Sequence, residues 1–443
     1  MTGSSKGQGG PAGTGSGGRA APGLTAVSHS RVCYDRGRYC GHPRQSGIFL
    51  YGGAEIALLH SHAPSAYSAP EDVSHSFATG YASRARILLQ RSTDGGRTWP
   101  AEHEVAVWDE SLPLEEKRAR LYRADDAQAA REHICLSDPD AAVYFARPAT
   151  GPDDDRGRPG LECFAFRSGD RGRTWEQTPT RVRPPTGWDV VHRDAHPLVQ
   201  CPDGTQLGAM TLGRGGVAGN PVRGAVALYG TDDDGLTWEY LSLAVEDGTG
   251  FGRPTYAGLI LLPSGVLQCY SLNIGGRRNA IQVSVSQDCG YSWSAPRPIV
   301  AWGQSPWRGS GCSNGQSPGP GSVCSANATP ARRTPATEQR PHSARGVHYR
   351  SPWPMRLRDG RIVVLFGRRK PPFGMGLIVS EDDGATWSRE AVLRDDGAGR
   401  DLGYPVAVEL ADGEIFAAYY FTDNDGNGCG GTRYIAGTHF RLA

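Results

Sequence analysis

The 443-residue sequence has no run of apolar residues approaching the roughly 18 that a membrane-spanning helix needs. It also has no excess of either charge, since it contains 47 basic and 46 acidic residues. A balanced charge excludes the basic surface that nucleic acids or membranes attract, so neither is an expected partner. The first residues lack the apolar core of a secretion signal, and we expect none there and, by default, a cytoplasmic location.

Cysteine is present but thinly spread, with ten residues and no pair in Cys-x-x-Cys spacing. The missing spacing excludes zinc-ribbon and thioredoxin-type motifs, so most of the thiols are interpreted as buried core residues. Cys312 and Cys324, in a loop rich in glycine, serine and proline, are the one pair placed for a local disulfide. We predict no cofactor and assign no metal ligand at this stage.

An eight-residue pattern occurs five times, with copies that begin at Ser92, Ser168, Thr231, Ser286 and Ser380. It reads Ser or Thr, any residue, Asp, any residue, Gly, any residue, Thr or Ser, Trp. Each copy is typical of a hairpin turn, because Asp accepts backbone N–H bonds, Gly tolerates positive φ and Trp packs on the layer below. Five copies indicate one supersecondary unit used repeatedly.

These repeats resemble the Asp boxes of the sialidase-like β-propellers. The resemblance implies an all-β fold, a six-bladed β-propeller of four-stranded antiparallel blades. Six hairpin signals upstream of the boxes support that number of blades, and closing the ring removes exposed sheet edges. In the resembling family the boxes lie away from the active site, so we interpret the five Asp residues as structural.

We expect residues 25–443 to form a single propeller domain, with a flexible Gly/Ser-rich tail over residues 1–22. A segment at about 305–346, rich in Gly, Ser, Pro and Arg, is interpreted as a loop inserted between blades four and five. The segment from Leu112 to His133 is the clearest candidate for a helix, and we expect a surface helix or a loop there between blades one and two. We expect the protein to be a monomer.

The inner strand of each propeller blade starts at one mouth of the central channel, so residues just before the hairpin turns should converge there. These positions are rich in Arg, His, Tyr and Asp, which favours an acidic, hydroxyl-rich carbohydrate as the partner. They include His192, Arg193 and Asp401, and the loop from His60 to Arg84 adds His75 and Tyr81.

The resemblance to sialidases gives roles to several of these residues. Sialidases bind the sugar carboxylate with three arginines and attack with a tyrosine. Tyr404 resembles that nucleophile, and Arg253 and Arg350 resemble the second and third arginines. The position of the first arginine holds Gly41, for which Arg44 or Arg38 would substitute.

The remaining roles fall to His and Asp residues. Asp194 and His196 occupy the place of the glutamate that activates the tyrosine, and Asp72 is the nearest candidate for the acid/base aspartate. Paired histidines at 60/62 and 192/196 would suit either a metal site or acid/base chemistry. The predicted catalytic residues are Tyr404, Asp194, His196, His42, His62 and Asp72, and the predicted substrate-binding residues are Arg44, Arg84, Arg253, Arg350, Tyr256 and Trp353.

Three functions are compatible with this sequence. The main hypothesis is a glycoside hydrolase of the sialidase superfamily that acts on a terminal acidic or related sugar. The second is a polysaccharide lyase that cleaves uronic-acid glycans with His, Tyr and Arg, which the missing Glu and Asp favour. The third is a glycan-binding propeller without catalysis, although the polar channel mouth argues against it.

Overall fold

A computed structural model describes residues 20–125, 131–153, 159–217, 220–246, 253–274, 279–301 and 348–443. The predicted tail, apart from residues 20–22, lies outside these ranges. So does the predicted insertion at 305–346 with Cys312 and Cys324. The described chain is almost entirely β-structure.

The first blade begins after strand β1 (Leu24–Cys33), which crosses to the last blade. The blade consists of β2 (Arg38–Gly41), β3 (Ile48–Tyr51), β4 (Glu55–Pro64), β5 (Arg86–Ser92) and β6 (Val105–Asp109). Both β2 and β3 pair antiparallel with β4, so the inner strand of this blade is split into two pieces. Short 3-10 turns lie at Pro43–Gln45, Pro70–Val73, Tyr81–Arg84, Ala101–His103 and Arg123–Asp125.

The second and third blades carry additional strands. The second blade has β7 (Ala142–Ala146), β10 (Cys163–Ser168) and β11 (Thr180–Val182), with a separate hairpin of β8 (Ala149–Asp153) and β9 (Pro159–Leu161) inserted between β7 and β10. The third has β12 (Val190–Val191), β13 (Val199–Gln200), β14 (Gln206–Val217), β15 (Asn220–Thr231) and β16 (Glu239–Glu246). Its inner strand is also split, because β12 and β13 both pair with β14.

The last three blades are regular four-stranded sheets. The fourth has β17 (Pro254–Leu261), β18 (Leu267–Asn273), β19 (Ala280–Ser286) and β20 (Arg297–Ala301), and the fifth has β21 (Tyr349–Arg356), β22 (Ile362–Arg368), β23 (Phe373–Ser380) and β24 (Ala391–Gly397). The sixth combines β25 (Gly403–Glu409), β26 (Ile415–Thr422) and β27 (Arg433–Leu442) with β1, in the order β1-β27-β26-β25. Strand β1 runs antiparallel to β27, from Leu24 opposite Leu442 to Cys33 opposite Ile435.

These sheets form a ring of six blades, which confirms the predicted six-bladed propeller. One detail differs: in the described residues the second blade has three strands. Residues 131–141 form no strand, so the hairpin expected at 140–166 joins the second and third strand positions. Asp140 accordingly lies beside an Asp box, where the Arg171 Nε is 2.7 Å from its Oδ1, and not at the channel mouth.

The hydrophobic core lies between neighbouring blades. One buried cluster joins blades one and two, and others join two with three, three with four and four with five. The largest cluster spans blades five, six and one. Each blade is therefore buried on both faces, which explains why its middle strands read as almost continuous apolar runs, such as Ile362–Phe366.

The Asp boxes are closed networks of hydrogen bonds. In the first box, Asp94 Oδ1 accepts the backbone N–H groups of Arg97 and Thr98, and its Oδ2 accepts the Thr98 hydroxyl at 2.7 Å. The Ser92 hydroxyl donates to Asp94 and accepts the N–H of Gly96 at 2.8 Å. The other four boxes repeat this pattern, so the structural interpretation of the motif agrees with its geometry.

Each box also fastens its blade to the preceding one. The Trp238 ring of blade three lies 5.1 Å from the Phe145 ring of blade two, and the Trp99 ring of blade one lies 5.7 Å from Phe416 of blade six. A Cβ at Gly290 would lie 2.2 Å from a Leu228 methyl group, and its φ is +91°. Both the backbone conformation and this close approach require glycine.

We expect Asp94→Ala to lower the free energy of unfolding by roughly 1–3 kcal/mol, because the variant leaves the N–H groups of the turn without their acceptor. Turnover on any substrate should be unchanged, since the box lies at the face opposite the starts of the inner strands. Urea unfolding and steady-state kinetics measure the two effects. The exposed Asp395 offers a matched control, and a still-folded Asp94→Ala protein with much lower turnover would contradict the assignment.

The loss of stability caused by Asp94→Ala should depend on pH. Burial acts to raise the pKa of Asp94, but the hydrogen bonds from Thr98 and Ser92 outweigh it and hold the pKa at about 2. A depressed carboxyl pKa adds stability above the unfolded value of about 4, and this contribution is lost as pH falls through about 2. The stability difference between wild type and Asp94→Ala should therefore shrink between pH 5 and pH 2 in urea titrations.

A buried ion pair connects the second and third blades. Arg167, at the end of β10, contacts Glu176 at 2.8 Å, and both side chains are 1% exposed. The Arg167 guanidinium also donates to the carbonyl oxygens of Glu132 and Asp234, the latter in the third Asp box. The pair is therefore fully desolvated and bonded to the backbone on both sides.

Of the helix or loop expected between blades one and two, residues Leu114–Leu121 form the helix α1. Its Lys117 is buried, and Lys117 Nζ lies 2.8 Å from Glu110 Oε1. The helix thus supports Glu110, the residue that follows β6, and Glu110 forms part of the channel mouth. Within the described ranges, none of the helices has the length and apolar character needed to cross a bilayer.

Candidate active site

A cavity of about 560 Å³ opens where the inner strands begin, at the face opposite the Asp boxes. All six blades contribute to its lining. Among the described residues, its polar side chains are His42, Gln45, Ser61, Ser74, His75, Ser76, Tyr81, Glu110, Arg147, His192, Arg193, Tyr256, Arg350 and Tyr404. The cavity is large enough for one or two sugar rings and is rich in arginine, tyrosine and histidine.

A β-bulge occurs at the same place in the inner strands of blades four, five and six. In each, two residues of the inner strand oppose one of its neighbour, between Thr255 and Gly258, Arg350 and Trp353, and Gly403 and Val406. Tyr256, Ser351 and Tyr404 have positive φ values of 53°, 47° and 56° at these bulges. Such strain in residues other than glycine costs about 1–3 kcal/mol each and is typical of functional sites, where a bulge re-aims side chains.

The bulges bring Tyr256, Arg350 and Tyr404 together. The two phenol oxygens lie 2.7 Å apart, and Arg350 Nη2 donates to the Tyr404 oxygen at 2.7 Å and to that of Tyr256 at 3.0 Å. The carbon of the Arg369 guanidinium lies 5.7 Å from the centre of the Tyr404 ring. Tyr404 is 2% exposed and still borders the cavity.

This cluster separates the pKa values of the two phenols. Burial acts to raise the pKa of Tyr404, but Arg350, Arg369 and the hydrogen bond from Tyr256 outweigh it and lower the pKa below its ordinary value. Burial dominates at Tyr256, whose pKa is raised. The lower pKa of Tyr404 makes its oxygen the preferred acceptor of the shared hydrogen bond, which Tyr256 then donates.

His42 packs directly on this cluster. Its ring lies edge-on to that of Tyr404, with centroids 4.7 Å apart, and its Nδ1 is 2.7 Å from the Tyr81 hydroxyl. Burial, followed by the nearby His75, lowers the pKa of His42 well below its usual value. A neutral His42 therefore packs between Tyr404 and His75, so the two ends of the described chain meet at one site.

His75 and Asp401 form a histidine–carboxylate pair at the cavity wall. The His75 Nε2 lies 3.5 Å from Asp401 Oδ1 and 3.0 Å from the Tyr39 hydroxyl, and the side chain is 43% exposed. Asp401 is also bonded by Tyr420 and Arg433. Burial acts to raise the pKa of Asp401, but His75, Arg369 and Arg433 outweigh it and hold the pKa well below its usual range.

Arg147, His192 and Arg193 form a second polar wall of the cavity, contributed by blades two and three. Arg147 Nη1 lies 3.1 Å from His192 Nδ1. Arg147 Nε and Nη2 and His192 Nε2 are buried and find no hydrogen-bond partner within the described ranges. Burial lowers the pKa of Arg147 to about 10, so its guanidinium stays charged near neutrality. Uncompensated donors of this kind are typical of an anion site.

Glu110 is the one carboxylate that lines the cavity among the described residues. Its Oε2 accepts the Trp108 indole N–H at 2.9 Å, and its Oε1 accepts Lys117 Nζ and the Ala149 N–H. Both oxygens are therefore engaged by structural partners. Glu110 fixes the wall of the cavity and is poorly placed to accept a further proton.

Asp194 lies behind the site and not in its lining. Its Oδ1 accepts the Thr211 N–H, and its Oδ2 accepts the Thr211 hydroxyl and the N–H of Tyr256 at 2.9 Å. The role predicted for Asp194, as the base that activates Tyr404, does not fit this placement. The carboxylate instead fixes the bulge that aims Tyr256 at Tyr404.

Three other predicted residues are buried away from the cavity. Arg44 is fully buried, donates to the carbonyl oxygens of Ala257 and Pro352, and lies over the Trp353 ring. The Trp353 indole donates to the Ala407 carbonyl, and His196 Nε2 lies 3.0 Å from the Val143 carbonyl. These groups link neighbouring blades through backbone carbonyls, and none of the three side chains lies in the cavity lining.

The four remaining predicted residues also lie outside the cavity lining. Asp72 accepts the N–H groups of Ser68 and Ala69 and lies 3.9 Å from Arg84, so it closes a turn and is not placed as an acid/base. His62 contacts Arg38 at 3.2 Å, and only its neighbour Ser61 faces the cavity. The backbone N–H of Arg253 donates to Asn273, outside the lining.

The structure thus brings together four of the twelve predicted residues, namely His42, Tyr256, Arg350 and Tyr404. The predicted set omitted Arg147, Glu110, the His75–Asp401 pair and the His192–Arg193 pair. The signal for most of them was present, because His75, Asp401, His192 and Arg193 belong to the polar positions at the blade mouths. Arg147 follows β7, before the inserted hairpin, and no repeat position marks it.

The fold and this cavity define the class of protein: a six-bladed Asp-box propeller with a polar central site. The sequence matches the family described as BNR repeat-like domain over residues 155–417, more than half of the chain. The chain belongs to this family. No curated protein matches the sequence.

Solved structures show the same fold at low sequence identity. A protein of unknown function from Dyadobacter fermentans is 18% identical, with 95% of this chain and 100% of that chain covered and a TM-score of 0.66. The Hadza microbial sialidase Hz136 is 15% identical over 91% of this chain and 65% of its own, with a TM-score of 0.51. The NanB sialidase from Streptococcus pneumoniae is 12% identical over 96% of this chain and 70% of its own, also with a TM-score of 0.51.

Proposed function

We propose that this protein is a glycoside hydrolase that removes a terminal acidic sugar, with Tyr404 as the nucleophile. The observation that carries the proposal is the Tyr404–Tyr256–Arg350 cluster at the cavity, in which a phenol with a lowered pKa receives two hydrogen bonds. An unperturbed phenol has a pKa of about 10 and is a poor nucleophile at neutral pH. The nearby guanidinium groups supply the activation that no carboxylate in the described part of the lining provides.

The proposed reaction has two steps. The Tyr404 oxygen attacks the anomeric carbon while the bond to the leaving oxygen breaks, and protonated His75 gives its proton to that oxygen. Neutral His75 then takes a proton from water, whose oxygen attacks the same carbon and releases the Tyr404 phenolate. Asp401 stabilises the charged form of His75 before the first step and after the second. Retention of configuration at the anomeric carbon is the expected outcome.

The acidic group of the sugar would bind on the wall formed by Arg147 and Arg193. These guanidinium groups face the cavity from blades two and three, opposite Arg350. Their donors match a carboxylate, which accepts paired N–H groups. This assignment replaces Arg44 and Arg253 as the carboxylate ligands.

A polysaccharide lyase acting on uronic-acid glycans is the second candidate. It is favoured by one observation, namely that Glu110, the one carboxylate lining the described part of the cavity, is fully bonded to structural partners. In this reaction Tyr404 or His75 would remove the proton next to the uronate carboxylate, and no covalent sugar intermediate would form. Arg147 and Arg193 would neutralise the carboxylate in the same way.

One panel of substrates separates these candidates. Aryl glycosides of acidic sugars and uronic-acid polysaccharides are incubated with the protein, and both new reducing ends and the ultraviolet absorbance of an unsaturated product are measured. A hydrolase yields reducing ends without that absorbance, and a lyase yields both. Trapping with a fluorinated acidic sugar should label the peptide containing Tyr404 in the hydrolase alone. Binding without either product would show a glycan-binding propeller instead.

We expect Arg147→Gln and Arg193→Gln each to raise KM for an acidic substrate about 10- to 100-fold, because each removes a charge-assisted hydrogen bond worth about 1.5–3 kcal/mol. The value of kcat should change less than KM. Initial-rate kinetics measure both constants. Arg183→Gln is the matched control, since that arginine of blade two is 63% exposed and lies outside the cavity lining. Equal effects of all three variants would reject the anion wall.

A further inference from the structure

Two cysteines and a histidine converge at the place where the propeller ring closes. Cys33 ends β1, Cys40 lies in β2 and His62 lies in β4. One ligand atom of each lies within 4.8 Å of the others, and the two sulfur atoms are 3.3 Å apart. Cys40 and His62 are buried, and Cys33 is half-buried. We propose that these residues bind a zinc ion that fastens the last blade to the first.

The distances favour a metal site over a disulfide. Sulfur atoms in a disulfide are about 2.05 Å apart, whereas two thiolates at about 2.3 Å from one tetrahedral zinc ion are about 3.8 Å apart. The observed 3.3 Å separation is closer to the second value. A disulfide would also give the imidazole of His62 no role, although one of its nitrogen atoms lies within 4.8 Å of both sulfur atoms.

The surroundings of the three residues suit a divalent cation with soft ligands. Thiolate and imidazole groups are preferred by zinc over calcium or magnesium. Two thiolates would balance the charge of the ion. The positive charge of the Arg38 guanidinium, which lies next to His62, is balanced by Asp35 at 2.9 Å. His60 is engaged by Gln90 and the Ser61 carbonyl, so water, which reaches the half-buried Cys33, would fill the fourth position.

The position of the three residues indicates a structural role. Cys33 belongs to the strand that completes blade six, whereas Cys40 and His62 belong to blade one. A bound ion would therefore cross-link the two blades at the junction that closes the ring. The three residues lie outside the cavity lining, so the inference is independent of the proposed reaction.

The test uses the full chain, reduced and treated with a chelator. Titration with zinc chloride should show one equivalent bound and a rise in Tm on the order of 5 °C. Cobalt chloride as a probe should give the absorption of thiolate-bound tetrahedral cobalt. Both signals should be lost in Cys33→Ser and in His62→Ala and should be retained in Cys289→Ser, whose thiol is exposed elsewhere.

Two results would overturn the inference. The first is an absence of zinc uptake by the reduced wild-type protein, with or without a Cys33–Cys40 disulfide in the protein as isolated. The second is uptake that remains unchanged in Cys33→Ser. If His62→Ala fails to fold, Cys33→Ser still decides the question, because Cys33 is half-buried and its substitution by serine changes one atom. Glycosidase or lyase activity should persist in the zinc-free wild type, which keeps this test separate from that of the proposed function.

Discussion

Tyr404→Phe is expected to lower kcat by at least about 10³-fold while ligand affinity stays within several-fold of wild type. The variant removes one oxygen atom, the one that receives hydrogen bonds from Arg350 and Tyr256. The ring, its contact with His42 and the bulge in β25 remain. Steady-state kinetics and calorimetric titration with a substrate analogue measure the two quantities.

The matched control is Tyr419→Phe in the same blade. The Tyr419 phenol is buried and bonded to Thr438, on the strand β26 and away from the cavity lining. Its loss should affect stability and leave kcat within about twofold of wild type. Full activity of Tyr404→Phe would reject both the hydrolase and the lyase in which this residue acts.

Arg167→Met is expected to lower the free energy of unfolding by about 3–5 kcal/mol, the largest loss we foresee for a residue far from the cavity. The variant would leave the Glu176 carboxylate, 1% exposed, with only the longer contact to the Arg131 guanidinium at 3.4 Å. It would also remove the donors to the carbonyl groups of Glu132 and Asp234. Urea unfolding followed by tryptophan fluorescence measures the change.

The double variant Arg167→Met with Glu176→Gln should recover part of that loss, since it also removes the buried negative charge that Arg131 alone would have to balance. The exposed pair of Arg86 and Asp109 provides the comparison: Arg86→Met should cost less than about 1 kcal/mol. Equal stability of Arg167→Met and wild type would show that the buried pair adds nothing to the contact between blades two and three.

The fold could be predicted from the sequence because its main signal is local. Each Asp box contains within eight residues the acceptor, the glycine and the tryptophan that its turn requires, so no distant contact is needed to identify it. The second blade shows the limit of this reasoning. Its box is intact, yet residues 131–141, directly before β7, form no strand, because nothing in the box specifies how the innermost strand is built.

The candidate site could be predicted in part for the same reason. Tyr256, Arg350 and Tyr404 follow from the repeat, since each lies at the start of an inner strand where a bulge recurs. Arg44 and Asp194 occupy similar sequence positions but are buried behind the cavity, and only the packing of neighbouring blades distinguishes the two cases. His75 and Arg147 lie in or beside insertions, whose course no repeat position specifies.

The pairing of β1 with β27 has a consequence for synthesis on the ribosome. Leu24 pairs with Leu442, so at roughly 5–20 residues per second about 20–80 seconds pass between the emergence of the two strands. During that time β1 exposes an unpaired edge, to which another nascent chain can add. Tyr404 and His42 come together only when β27 has been synthesised and pairs with β1. Premature termination within the last blade should therefore yield an aggregation-prone fragment and not a weakly active enzyme.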